Sequence, residues 1–303
     1  MDLNIYSYFL FYFIILFSVV GYGLFFSYVT NASSISKNFG YAGLLGLFFL
    51  TIYSYISNFF FAHGLIHNSI LIWLGIFFYL YFVRKNTYKK KKILFFFLIF
   101  LILFISILIF KTHDDFSYYH FAYSYYLTQS SSYIGIGPFN HGFKTQSSIF
   151  YLNSLFYLPI VKYYMFHMPA VLIMGFSNII LLNKIFKNIK DKSINFITFF
   201  SLLSFLFINI FFYRVGEHGT DRSAQILVFI LLIEVLLLIN FSTDRYRQIS
   251  KIYILIGLII SFKAFYILYL LFFIPVIFFY YEKKNLFKIF EIIKNKFFIF
   301  FFI

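Results

Sequence analysis

The chain has 303 residues, 62% of them hydrophobic and 12% charged, with a formal net charge of +15. A soluble domain carries roughly 25% charged residues. Together with a mean hydropathy of +0.87, this excludes an ordinary water-soluble enzyme and predicts an all-α, polytopic transmembrane helix bundle. In a soluble protein such a charge would suggest nucleic acid; here it reads as Lys and Arg retained in cytoplasmic loops, and no nucleic-acid partner is expected.

The absence of Cys excludes disulfides and thiolate metal sites. The 52 Phe and 28 Tyr, with abundant Ile, Lys and Asn, are what an AT-rich coding sequence supplies, so aromatic content alone marks no binding site. The N-terminus lacks a basic segment and a small-residue cleavage site, so its first apolar run is expected to be a retained span.

A span needs about 20 apolar residues. In chain order the predicted spans are 6–29, 41–61, 69–83, 93–110, 168–183 with its flanks, 193–213, 223–241, and two within 252–281 that turn at Lys263. That makes about nine, plus a short helix over 146–158 that ends at Pro159 and is too short to cross, so it is expected to be interfacial or re-entrant. The expected organisation is an N-terminal three-span segment (1–92), a membrane core (93–281) with external loops 111–147 and 214–222, and a cytoplasmic link (282–303). The seven apolar residues 297–303 are too few to cross, which suggests a C-terminally truncated fragment.

The run Arg84, Lys85 and Lys89 to Lys92 marks a cytoplasmic loop. Counting from it, most Lys and Arg face inward, whereas all seven His, with Asp114, Asp115, Glu217 and Asp221, face outward. Acid–base and metal-binding groups therefore gather on the non-cytoplasmic side.

The first external loop opens Lys111-Thr112-His113-Asp114-Asp115-Phe116-Ser117-Tyr118-Tyr119-His120. Asp114 and Asp115 read as a general base or metal ligands; the alternative is a solvated pair capping a helix predicted over 115–127. His120, five residues after Asp115, lies about 140° round an α-helix and shares its face only if the helix starts later. His113 and His141 are further candidate ligands, and Glu217-His218 in the second loop is placed to complete a site. Arg214 and Arg222 suit a phosphate, or simply anchor span ends. Lys263 within an apolar run is either a functional intramembrane cation or a snorkelling turn residue. Glu234 is an acid near mid-membrane that pairs with a buried donor or faces a cavity.

A span followed by an external loop with an acidic pair and Tyr-His, a polar turn, a short helix ending in Pro and a second acidic external loop resembles the membrane-embedded GT-C glycosyltransferases. The likeness is carried by Asp115, Tyr119 and His120, then by residues 140–148, and covers 93–281. The chain departs from that pattern in having three spans ahead of the span that leads to this loop.

The resemblance implies transfer of a sugar from a polyprenyl-phosphate donor to a glycan or lipid acceptor, outside the bacterial cytoplasmic membrane. It implies Asp115, beside Asp114, as the base at the acceptor or a ligand of a divalent cation at the donor phosphate, with His120 at the same centre. Tyr119, His141, Arg214, Glu217, Asp221, Arg222 and Lys263 are then expected to bind substrate, and His113 and His218 to bind metal, with membrane lipid as the surrounding partner. A transporter or flippase of lipid-linked or ionic substrates, with Glu234 and Lys263 lining its pathway, is the alternative from another class. An O-antigen polymerase or ligase built on external arginines is a third.

Overall fold

The computed structural model describes residues 4–85, 88, 90–108, 112–131, 135–145, 147–241, 245–274 and 297. Lys111, the predicted span end at 275–281, the basic segment 282–296 and residues 298–303 lie outside the described residues.

The described chain is all-α. It runs α1 (Ile5–Val29), α2 (Phe39–Phe60), α3 (Leu65–Lys85), α4 (Lys90–Ile107), α5 (Phe121–Gln129), α6 (Ser148–Leu155), α7 (Met168–Lys190), α8 (Phe196–Phe211), α9 (Asp221–Phe241) and α10 (Arg245–Phe262). The helix starts are written locally. Asn4, Asn38 and Ser147 each accept a backbone N–H from two residues ahead, capping α1, α2 and α6. Asn195 and Thr198 form a capping box before α8, and Pro169 occupies the first turn of α7.

Helices α1, α2 and α3 pack backbone to backbone. A methyl on Gly23 would overlap the carbonyl of Ala42, and one on Gly21 the carbonyl of Gly75. Small residues at such crossings do in a membrane what apolar burial does in water, because lipid tails are as apolar as Leu. Helix α7 is the central post, with fifteen buried residues, and it touches α2, α4, α6, α8 and α9. The outward faces are apolar instead: Trp73, Phe77 and Leu80 of α3 and Leu203 and Phe211 of α8 are all exposed, as lipid-facing residues are.

Among the described residues five segments are long and apolar enough to span a bilayer: Ile5–Val29, Phe39–Phe60, Leu65–Lys85, Tyr163–Lys190 and Asp221–Ile239. This is a multi-pass membrane protein, but the count of nine spans is not borne out. Helix α4 begins with three lysines, leaving fifteen residues free of charge, about 22 Å. Helix α8 has sixteen residues, about 24 Å, and α10 carries Arg245, Arg247 and Lys251 in its first seven positions. Each falls short of a core of about 30 Å. The break at Lys263 is real: α10 ends at Phe262, Lys263 is extended, and a 3₁₀ helix follows over Ala264–Phe272. The short helix predicted as interfacial is α6, and it lies inside the protein, with seven of its eight residues buried.

Glu234 faces no open pathway. Its carboxylate is fully buried between α2, α7, α9 and α10, where it accepts from Tyr41, Gln248, Lys184 and, at 2.9 Å, Lys251. Two ammonium groups and two neutral donors compensate one buried charge, which is the condition under which such a charge is tolerated.

Candidate functional site

The two loops predicted to face the same side meet. The backbone N–H of His113 donates to the carbonyl of Gly216 at 3.1 Å, joining the first loop to the second. Gly219 closes over the first loop's histidines with φ of +52°. A Cβ there would lie 3.3 Å from His120 Cε1 and 3.4 Å from His113 Cδ2.

Asp115 and His120 share a face by a route α-helical spacing does not offer. Residues Phe116–His120 form a π-helical turn, and the N–H of Phe121 donates to the carbonyl of Phe116. An i→i+5 turn widens the helix and brings positions five apart together, and such turns concentrate at functional sites. One ligand atom from each of His113, Asp115 and His120 lies within 4.8 Å of the others. The His113 and His120 rings stack with centroids 5.5 Å apart, and Phe150 of α6 supports His120 at 5.0 Å.

This donor set fits a divalent cation. Two imidazoles and a carboxylate are the set of catalytic zinc and related transition-metal centres, which keep open positions. The Nε2 atom of His120 is buried with no hydrogen-bond partner among the described residues, and an orphaned buried acceptor is the group a cation would satisfy. His113 Nδ1 accepts the backbone N–H of Asp115 at 3.1 Å and lies 3.7 Å from its carboxylate. To ligate through that atom, His113 must release the N–H. His113, Asp115 and His120 would hold such a cation after a small inward movement of their ligand atoms.

Burial, with His113 beside it, lowers the His120 pKa to about 4, against the opposing pull of Asp115 and Asp221. The ring is therefore neutral and ligand-ready near pH 7. Tyr119 is raised by burial and by the same two carboxylates, so its phenol stays protonated and can donate. Its ring lies on Gly142, where a side chain would collide with it, while Asn140 Nδ2 donates to the Tyr118 carbonyl at 3.2 Å. The polar turn over 140–144 thus braces the first loop.

Asp221, the first residue of α9, receives Lys263 Nζ at 2.6 and 2.7 Å and the hydroxyl of Tyr266 at 3.1 Å. The Asp221 carboxylate raises the pKa of Tyr119 and opposes the lowering at His120, so its charge is felt at the cluster. Lys263 is half-buried and paired with Asp221, not isolated in a span.

Other predicted residues stand apart. Asp114 and His141 are exposed and outside the cluster. Glu217 is clamped by Arg214 at 3.2 Å and Arg222 at 3.0 Å, which ties the second loop together and offsets charge expected for a phosphate. His218 is not part of the metal-capable cluster. It is buried, its Nε2–H donates to the Phe212 carbonyl at 2.6 Å, and its Nδ1 meets no partner among the described residues. Burial lowers its pKa to about 4.

Sequence reasoning missed Gly219 and Tyr266. The run Glu217-His218-Gly219-Thr220-Asp221, a glycine between a histidine and an acid, was the available signal for the first; none pointed to the second. It also missed His167, whose ring lies 4.5 Å from that of Phe116.

A family model described as a domain of unknown function, DUF8201, matches residues 6–303. No curated protein and no solved structure matches the chain.

Proposed function

We propose that this chain, which belongs to the DUF8201 family, is a membrane glycosyltransferase. It would move a sugar from a polyprenyl-phosphate donor to a glycan or lipid acceptor at the outer face of the bacterial cytoplasmic membrane. The observation that carries this reading is the His113–Asp115–His120 cluster, roofed by Gly219 and within the field of Asp221, the partner of Lys263.

Sugar transfer with a phosphate leaving group needs positive charge where the sugar–phosphate bond breaks and a base at the acceptor hydroxyl. A cation held by His113, Asp115 and His120 would supply Lewis-acid charge at the donor phosphate. Lys263, held on Asp221, would add a second positive charge beside it. Tyr119 stays a phenol and donates to a sugar or phosphate oxygen. Asp115 is the carboxylate placed to anchor the cation or to take the acceptor's proton. Arg214 and Arg222 shape the second loop through Glu217, and His218 holds its end through Phe212.

This reading is better supported than the alternatives. A transporter with Glu234 and Lys263 along its pathway predicts that the two external loops lie far apart, whereas the His113 N–H donates to the Gly216 carbonyl between them. Glu234 lies thirteen residues along α9 from Asp221, the partner of Lys263, about 20 Å away, and it is fully engaged. An arginine-based polymerase or ligase would centre on Arg214 and Arg222, which hold Glu217 and are not members of the metal-capable cluster.

The test is release of polyprenyl phosphate from a synthetic polyprenyl-phosphate sugar by purified protein in detergent. Release should require a divalent cation and fall at least about a hundredfold in His120→Asn. Full release in the presence of chelator, or from His120→Asn, would remove the cluster from the chemistry.

A further inference from the structure

The outer end of the bundle carries a row of aromatic side chains that the cluster does not use. Tyr157, Tyr125, Phe121, Phe116 and His167 follow one another with ring centroids 6.1, 5.9, 5.9 and 4.5 Å apart. All five are partly exposed. The π turn that unites Asp115 with His120 also aligns Phe116 with Phe121, and Tyr125 follows one α-helical turn later. One end of the row therefore reaches the metal-capable cluster, because Phe116 adjoins Asp115. At the other end Tyr157 lines an open depression of about 940 Å³, together with Thr128, Gln129 and His67 and, on its apolar side, Phe60 and Phe61.

The row suits one class of ligand. The Phe121 and Tyr125 rings are within 7° of parallel and so present joined faces, while Tyr163 and Tyr157 meet them edge-on, at 87° and 82°. Buried Phe166 packs against Phe121 and Tyr157 and fixes the row to the protein. The hydroxyls of Tyr125, Tyr157 and Tyr163 meet no hydrogen-bond partner among the described residues. Partial burial and the neighbouring Tyr125 and Tyr163 raise the Tyr157 pKa, so its phenol remains a donor. A sugar ring offers C–H groups on its faces, which the negative face of an aromatic ring attracts, and hydroxyls at its rim, which pair with phenols. A hydrocarbon chain laid along the same row would bury three hydroxyls unpaired.

We propose that this row binds a glycan chain and leads its end to the cluster. Calling that chain the acceptor of sugar transfer rests on the glycosyltransferase reading and narrows it from a glycan or lipid to a glycan. Binding of the chain does not rest on it.

The experiment is binding of the purified full chain, in neutral detergent with chelator, to a printed array of neutral oligosaccharides. Wild type should bind at least one oligosaccharide saturably. Tyr125→Leu and Tyr157→Leu should each weaken that binding about fivefold, and Tyr125→Phe, which keeps the ring, by less. Tyr126→Leu, next in sequence but packed on Phe143, should bind as wild type. These side chains are partly exposed, so the unfolding temperature should stay close to that of wild type, and Tyr125→Phe reports on the hydroxyl if Tyr125→Leu does not fold. No saturable binding to any oligosaccharide, or unchanged binding by both leucine variants, overturns the row as a glycan site. Displacement of the oligosaccharide by geranylgeraniol, with the leucine variants binding that alcohol as well as wild type does, overturns it in favour of an apolar groove. Glycan binding without release of polyprenyl phosphate removes the transferase and keeps the row; release without glycan binding does the reverse.

Discussion

The imidazole of His113 lies over that of His120, centroids 5.5 Å apart and planes 24° from parallel, although seven residues separate them. The chain between them turns through the π-helical segment Phe116–His120, and Gly219 of the second loop seals the pair from above. The first and second loops therefore build one centre.

Gly219 is the contact at which a side chain is strained. Its φ of +52° suits glycine, and a Cβ would press on both histidines. Gly219→Ala should lose about 1–2 kcal/mol of stability from the left-handed backbone alone. It should also weaken cation binding at the cluster, measured by titration of the purified protein with Zn²⁺ or Mn²⁺. A variant of wild-type affinity would show that the second loop does not hold the histidines in place.

Acid should loosen this end of the molecule first. His120 and His218 are held near pKa 4 in the folded protein, from an ordinary value of 6.5, chiefly by burial. Between those values the unfolded chain binds more protons. The stability these rings contribute is complete above pH 6.5 and is lost as pH falls towards 4, at about 1.4 kcal/mol per pH unit for each histidine. The unfolding temperature should drop across this window. His218→Asn, which keeps a donor for the Phe212 carbonyl but has no proton to gain, should flatten the drop.

Glu234 and Lys263 should behave differently. Glu234→Gln leaves Lys184 and Lys251, at 16% and 9% side-chain exposure, facing one another without a counter-ion. The expected loss is about 3–5 kcal/mol. Lys263→Ala breaks a pair in which both partners are about one-third exposed or more, worth about 1 kcal/mol or less, so its defect should appear in turnover and not in the melting curve. Similar melting curves for the two variants would contradict the assignment of Glu234 to structure and Lys263 to the site.

Much of the architecture was legible in the sequence because length and polarity decide it. The spans over α1, α2, α3, α7 and α9, the break at Lys263 and the short helix before Pro159 all follow from runs of apolar residues and their interruptions. The overcount arose because α4, α8 and α10 look like spans until their charged or missing turns are subtracted. Asp115 and His120 were visible as candidates, yet straight α-helical spacing sets them on different faces, and only the π turn unites them. His218 beside Glu217 looked like a ligand because adjacency in sequence is silent about the Phe212 carbonyl, which takes its N–H. The partners of Glu234 come from Tyr41, Lys184, Gln248 and Lys251, scattered along the chain, and no local pattern brings them together.

Asp114 and Asp115 are neighbours in sequence with opposite roles in this account, one exposed and outside the cluster, the other a member of it. Cation-dependent release of polyprenyl phosphate, compared between Asp114→Asn and Asp115→Asn at matched expression, separates the two carboxylates. Asp115→Asn should fall by at least about a hundredfold while Asp114→Asn stays within a few-fold of wild type. Equal losses in the two variants, or wild-type release from Asp115→Asn, would contradict the opposite roles of the two carboxylates.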